Sequence, residues 1–102
     1  GNDAKAKAYM YSVVKETIRC AKNAPGPMRP VLPYGWDHYH NGANVLSVET
    51  LKNQLQVPCD LGASGLVEWG NSKQEANESY WKWFVREGSG AITKKFVCDR
   101  VY

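Results

Sequence analysis

A chain of 102 residues with 43% hydrophobic and 23% charged residues has the composition of a globular domain, not of a disordered tail. Its net charge of +3 is spread along the chain, with Lys94 and Lys95 as the one tight basic pair, so it lacks the cationic stripe that binding to nucleic acid requires. No apolar run approaches the roughly 20 residues of a membrane span, and the polar start at Gly1 has no apolar signal region; lacking an initiating Met, the chain reads as beginning inside a longer protein.

From Ala4 to about Asn23, apolar residues recur at Met10, Val13, Val14, Thr17, Ile18 and Ala21, while Lys5, Lys7, Lys15, Glu16, Arg19 and Lys22 take the other side. That spacing predicts an amphipathic helix. It stops in Asn23-Ala24-Pro25-Gly26-Pro27, where two prolines remove amide donors and restrict their neighbours. Val31 to about Tyr39 reads as a strand rich in β-compatible residues, although Pro33 cannot donate to a ladder and marks a place where pairing ends or bulges. Tyr34 and Trp36 alternate onto one face, and Asp37 and His38 fall at the C-terminal end of this strand. Asn41-Gly42 is the turn signal of the loop that follows.

Ser47 is placed to cap the next helix, Glu49 suits the positive end of its dipole, and Leu46 can staple onto Leu51. Val48, Leu51 and Leu55 form its expected buried stripe, Pro58 ends or bends it, and Asp60-Leu61-Gly62 supplies a turn. Gly65 to Trp69 is the second strand, apolar apart from Glu68, a run typical of parallel strands covered on both faces. Ser72 and Glu75 read as a capping box for a helix whose inner face carries Ala76, Tyr80, Trp83 and Phe84 and which ends at Gly88. Ala91 to Tyr102 is open between a short helix and extended chain. The order helix, strand, helix, strand, helix suits parallel strands with right-handed crossovers. Two strands alone bury too little apolar surface to offset chain ordering, so the expectation is an α/β segment of a larger protein, most simply a barrel.

Several residues invite chemistry. Cys20, Cys59 and Cys98 lie 39 residues apart each time, which fits no close metal-ligand pair and leaves one thiol over in any internal bridging. Cys20 reads as a small buried hydrophobe within its helix, and Cys98 as the better candidate for a bond to something outside the chain. His38 and His40 have an i, i+2 spacing without a converging third ligand, so a solvated loop pair is the simpler reading. Asp37 and Glu68 at adjacent strand ends suggest the carboxylate pair of a glycosidase, but Glu68 alternates with Trp69 and should point to the opposite face. Trp69 itself suits either a core position or a cleft wall.

Three stretches carry a resemblance when read in order: Val14-Lys15-Glu16-Thr17-Ile18-Arg19, Val31 through Tyr39, and Asp60-Leu61-Gly62-Ala63-Ser64-Gly65-Leu66-Val67-Glu68-Trp69-Gly70-Asn71-Ser72. Together they resemble the last part of the catalytic domain of animal hyaluronidases, over most of the chain from Tyr11 onward. The resemblance implies a (β/α)8-like TIM barrel, of which residues 1–90 would supply the final two strands with their helices and residues 91–102 the start of a C-terminal extension. It implies a secreted or lysosomal glycosidase that hydrolyses hyaluronan or chondroitin next to N-acetylhexosamine, with the substrate's acetamido oxygen as nucleophile and with no cofactor or metal. The acidic Asp-x-Glu pair of the family is absent from this sequence and would lie upstream, so the chain alone is expected to be inactive; a non-catalytic glycosaminoglycan-binding relative is the alternative.

By the same resemblance Trp69 is the strand-end tryptophan that packs on the acetamido group, Tyr34 and Trp36 line the sugar groove, and Asn71 and Ser72 touch substrate, although Ser72 serves equally well as a helix cap. Cys98 would open a cysteine-rich module with its partner past Tyr102. Two positions depart from the family: Trp81 stands where relatives carry a bridged cysteine, and Glu68 where they carry an apolar residue. Asn77-Glu78-Ser79 is a glycosylation acceptor sequence, meaningful only in a secreted protein.

Overall fold

The computed structural model describes residues 3–38, 45–70 and 77–99. In chain order these form α1 (Asp3–Asn23), β1 (Tyr34–Gly35), α2 (Val48–Leu61), β2 (Val67–Glu68), α3 (Glu78–Arg86) and α4 (Ser89–Lys95). No helix among them is long and apolar enough to cross a membrane.

The amphipathic pattern of α1 resolves into a narrow contact line. Val14 and Ile18 are buried and pack with Val31 and Ala63, flanked by Ala21 and Leu61, whereas Val13 is exposed. Cys20 is exposed as well, beside the Glu16 carboxylate, which corrects the expectation of a buried thiol. The helix points its hydrophobic stripe at only one neighbouring layer, so positions flanking the stripe remain wet.

β1 and β2 pair in parallel, with Tyr34 opposite Val67 and Gly35 opposite Glu68. The ladder is shorter than the two expected strands, and Pro33 explains its beginning. Pro33 joins only through its carbonyl, which accepts from Val67 N at 2.8 Å, since its ring nitrogen has no proton to return. At the other end Gly35 O accepts from Trp69 N at 2.7 Å, and beyond it the Asp37 carbonyl turns away to Leu46 N at 2.8 Å, so β1 leaves the sheet there.

α2 begins as expected: Ser47 Oγ accepts from Thr50 N at 3.1 Å. The same hydroxyl, and that of Thr50, donate to Oδ1 of Asp3 in the first turn of α1, at 2.5 and 2.8 Å. These bonds, Ser47 first, hold the Asp3 carboxyl below its ordinary pKa. Val48 is exposed, not part of the buried stripe, because the first helical residue turns outward; Leu51 and Val57 are buried along with Thr50 and Asn53. Pro58 sits inside the last turn and does not stop the helix. It ends at Gly62, whose φ of 96° is the left-handed conformation that glycine adopts without strain and whose N–H reaches the carbonyls of Pro58 and Cys59.

Asn77 caps α3 through Oδ1, which accepts from Tyr80 N at 3.0 Å; the expected Ser72/Glu75 capping box lies outside the described residues, as do Tyr39 and Ala76. The turn into α4 is tight. A Cβ on Gly90 would sit 2.8 Å from the Phe84 carbonyl oxygen, so only glycine fits.

Cys98 is bonded to Cys59 with their Cα atoms 5.8 Å apart, which corrects the expectation of a partner past Tyr102 and ties the chain after α4 to the end of α2. Opening a loop of 39 residues in sequence separation should cost stability. Cys98→Ser is expected to lower the unfolding free energy by about 2–4 kcal/mol, and Cys20→Ser to change it by less than about 0.5 kcal/mol, in denaturant titrations. Equal midpoints for the two variants would remove the bridge from the stability of the fold.

Candidate functional site

The register of the two strands decides which side chains meet. Tyr34, Trp36, Val67 and Trp69 share one face of the sheet, and Gly35 and Glu68 the other. The helices occupy the second face: a Cβ on Gly35 would touch Gln54 of α2 at 3.1 Å, and Glu68 lines a cavity of about 280 Å³ with Leu55 of α2 and Phe96. The first face is open, with Leu32, Tyr34 and Trp69 exposed. Among the described residues, coverage of β2 on both faces is therefore not met.

At the C-terminal ends of the strands, the Trp36 and Trp69 rings meet edge to face, with centroids 4.8 Å apart and planes at 81°. This is one of the favourable geometries of aromatic pairs. Trp69 is 48% exposed and offers its indole to solvent. Trp36 is half-buried; its carbonyl accepts from Gln54 Nε2 at 2.8 Å, and its buried ring nitrogen finds no acceptor among the described residues. Trp36 also lines, with Tyr34 and His38, a cavity of about 370 Å³ whose other walls come from α1 and the start of α2. Of the expected groove residues, the structure thus brings Trp36 against Trp69 and places Tyr34, 75% exposed, along the same face. Asn71 and Ser72 lie outside the described residues.

Behind this pair sits a cluster that the sequence reading missed. Asp37 is completely buried. Its Oδ2 accepts from the Tyr80 hydroxyl of α3 at 2.6 Å and from Ser89 Oγ of α4 at 2.9 Å, and its Oδ1 lies 2.8 Å from His38 Nδ1. The His38 ring, also buried, stands 5.2 Å from Trp36 and 5.6 Å from Tyr80. His38 is therefore not a solvated loop residue; His40 lies outside the described residues. Partners 43 and 52 residues away leave no local pattern to read, and the only available signal was an Asp-His pair directly after an apolar strand.

Glu68 and Asp37 do not form a glycosidase pair. Asp37 is sealed from solvent with its oxygens occupied, and Glu68 faces the helix layer, away from Trp69. The Glu68 carboxyl is nonetheless pushed up to about 7, chiefly by desolvation and secondarily by the nearby Asp37. Among the described residues no three His, Cys, Asp or Glu side chains converge as a metal site.

Comparison with known proteins is consistent in direction. The family described as hyaluronidase matches residues 1–85. A hyaluronidase of Apis mellifera is 38% identical over 60 residues, which is 58% of this chain and 16% of that protein. The crystal structure of bee venom hyaluronidase in complex with a hyaluronic acid tetramer superposes with a TM-score of 0.81 at 26% identity, over 91% of this chain and 30% of that one. The chain accordingly spans less than a third of the proteins it resembles.

The raised Glu68 carboxyl makes a signed prediction. Its folded pKa of about 7 lies above the ordinary 4.5, so the fold favours the protonated form; no penalty exists below about pH 4.5, and one grows as pH rises through about 7. Glu68→Gln is therefore expected to raise the melting temperature at about pH 8 and leave it unchanged at about pH 4, by a modest amount because part of the side chain meets solvent. A shift of equal size at both pH values would show that Glu68 does not titrate in this way.

Proposed function

The chain belongs to the hyaluronidase family, and we propose that it forms one wall of the substrate cleft in a glycosidase that cleaves hyaluronan or chondroitin beside N-acetylhexosamine. The observation that carries this reading is the Trp36–Trp69 pair at the C-terminal ends of two parallel strands, on a sheet face left open while the helices cover the other. In barrel enzymes substrates bind at that end of the strands, and an open inner face is what two strands of a (β/α)8-like barrel present without their neighbours. The remaining strands supply the Asp-x-Glu pair, which residues 1–102 lack, and the chain by itself is inactive.

In this mechanism the glutamate of that pair protonates the leaving oxygen and later activates water, and the substrate's acetamido oxygen attacks the anomeric carbon. Trp69 contributes orientation. A flat, rigid indole packs on the acetamido group, excludes water from it and limits its rotation, which lowers the barrier by holding a near-attack geometry. Tyr34 and Trp36 extend the groove, and Asn71 and Ser72 supply polar contacts after β2. Residues 91–102 begin a C-terminal extension, held to residues 1–90 by the Cys59–Cys98 bridge.

The disulfide suits an oxidising compartment, so secretion, or delivery to the lysosome, is the proposed destination. Asn77 then becomes a glycan acceptor: it is exposed, and its cap bond uses Oδ1, which leaves its side-chain nitrogen for the sugar. The second reading is a non-catalytic relative that binds glycosaminoglycan through the same aromatic pair.

Trp69→Ala in the full-length protein is expected to reduce kcat/KM for polymer cleavage at least about tenfold. Unchanged cleavage would remove Trp69 from the mechanism. A full-length protein without cleavage activity that still binds hyaluronan oligosaccharides through Trp69 would select the binding relative instead.

A further inference from the structure

We propose that Trp36, His38 and Asp37 are positioning residues for Trp69: α3 and α4 fix the Asp37 carboxyl group, Asp37 fixes His38, His38 orients Trp36, and Trp36 sets the angle of the Trp69 indole. The inference rests on the reading of Trp69 as the sugar-contacting residue and extends it inward. Trp69 needs such support. Its amide is fixed by Gly35 O at 2.7 Å, and among the described residues Trp69 is 48% exposed. Among the described residues the ring packed on it is that of Trp36, edge to face at 4.8 Å.

Each link inward is more constrained than the one before. Trp36 is half-buried and lies 5.2 Å from the His38 ring. His38 is buried against Tyr80 and hydrogen-bonds Asp37, and Asp37 is inaccessible and receives Tyr80 and Ser89 from two helices. The gradient from a sealed polar anchor to an exposed indole is how a site residue is held on rigid elements by the shell behind it.

The Trp36 ring makes two contacts at once. Among the described residues its nitrogen has no acceptor, so the indole is held by its two ring contacts, to His38 and to Trp69, and not by a hydrogen bond. What phenylalanine cannot supply is the second ring, whose extent lets one side chain span His38 and Trp69 together.

The test uses the full-length protein labelled with 5-fluorotryptophan, the Trp69 line being assigned from its loss in Trp69→Phe. Trp36→Phe is expected to shift and broaden the fluorine line of Trp69 and to weaken hyaluronan tetrasaccharide binding about fivefold, the factor expected when one aromatic pair is lost. Tyr80→Phe, which removes the 2.6 Å bond to Asp37 at little cost in volume, is expected to broaden the same line to a smaller extent. A Trp69 line unmoved by Trp36→Phe would overturn the proposal. If that line moves while Trp69→Ala binds the tetrasaccharide as tightly as the native protein, positioning stands and the sugar-contact reading of Trp69 fails. If Trp69→Ala abolishes binding and Trp36→Phe leaves it unaltered, Trp69 keeps its role and the positioning role of Trp36 is refuted.

Discussion

The structure turns on one buried carboxyl group. Asp37 stands where β1 leaves the sheet, and a carboxyl group with no access to water is tolerable only if its oxygens find donors within the protein. Tyr80 and Ser89 provide them from two different helices, and His38 from the chain's own next residue. Because those donors come from α3 and α4, the polar requirement of a single side chain fixes where the second half of the fold lies relative to the strand ends. An apolar residue at position 37 would make no comparable demand on direction, since hydrophobic contacts are satisfied by many arrangements.

The strands add a second constraint through their shortness. Pro33 opens the ladder and the departure of Asp37 closes it, leaving Val67 and Trp69 as the amides of β2 that β1 carbonyls receive. Few bonds hold the pair, but they set the register, and the register sorts the side chains: aromatic residues to the open face, Glu68 to the helices. A slip of one residue would exchange the faces of Trp69 and Glu68. The helices on the far side, with the contacts of Val14, Ile18, Val31 and Ala63, make that slip costly.

Local patterns were legible wherever a few consecutive residues decide the outcome. The periodicity of α1, the Ser47 cap, the glycine after α2 and the parallel order of the strands follow from neighbours in sequence, and so did the resemblance that led to the hyaluronidase family. What escaped were properties set by distant partners. Cys98 meets Cys59, Cys20 is exposed beside Glu16 and Arg19, and His38 is buried against Trp36 and Tyr80; none of these follows from spacing. Val48 is a different kind of miss, since being apolar does not bury a residue whose helical position faces outward. At the site, the two tryptophans were visible as residues, but their mutual contact depended on a register that only pairing could fix.

The shared carboxylate of Asp3 has a geometric meaning for the chain as a whole. Ser47 and Thr50, at the head of α2, both bond to a residue in the opening turn of α1. Two helices whose heads meet at one anion run side by side in the same direction, with their positive poles together, an arrangement that their dipoles alone oppose and that negative charge between them relieves. Helices of the same direction cannot be joined by a short hairpin; the chain must travel the length of the helix back, and the extended segment containing β1 is that return path. Asp3 thus neutralises, at a single point, the electrostatic consequence of building with parallel units.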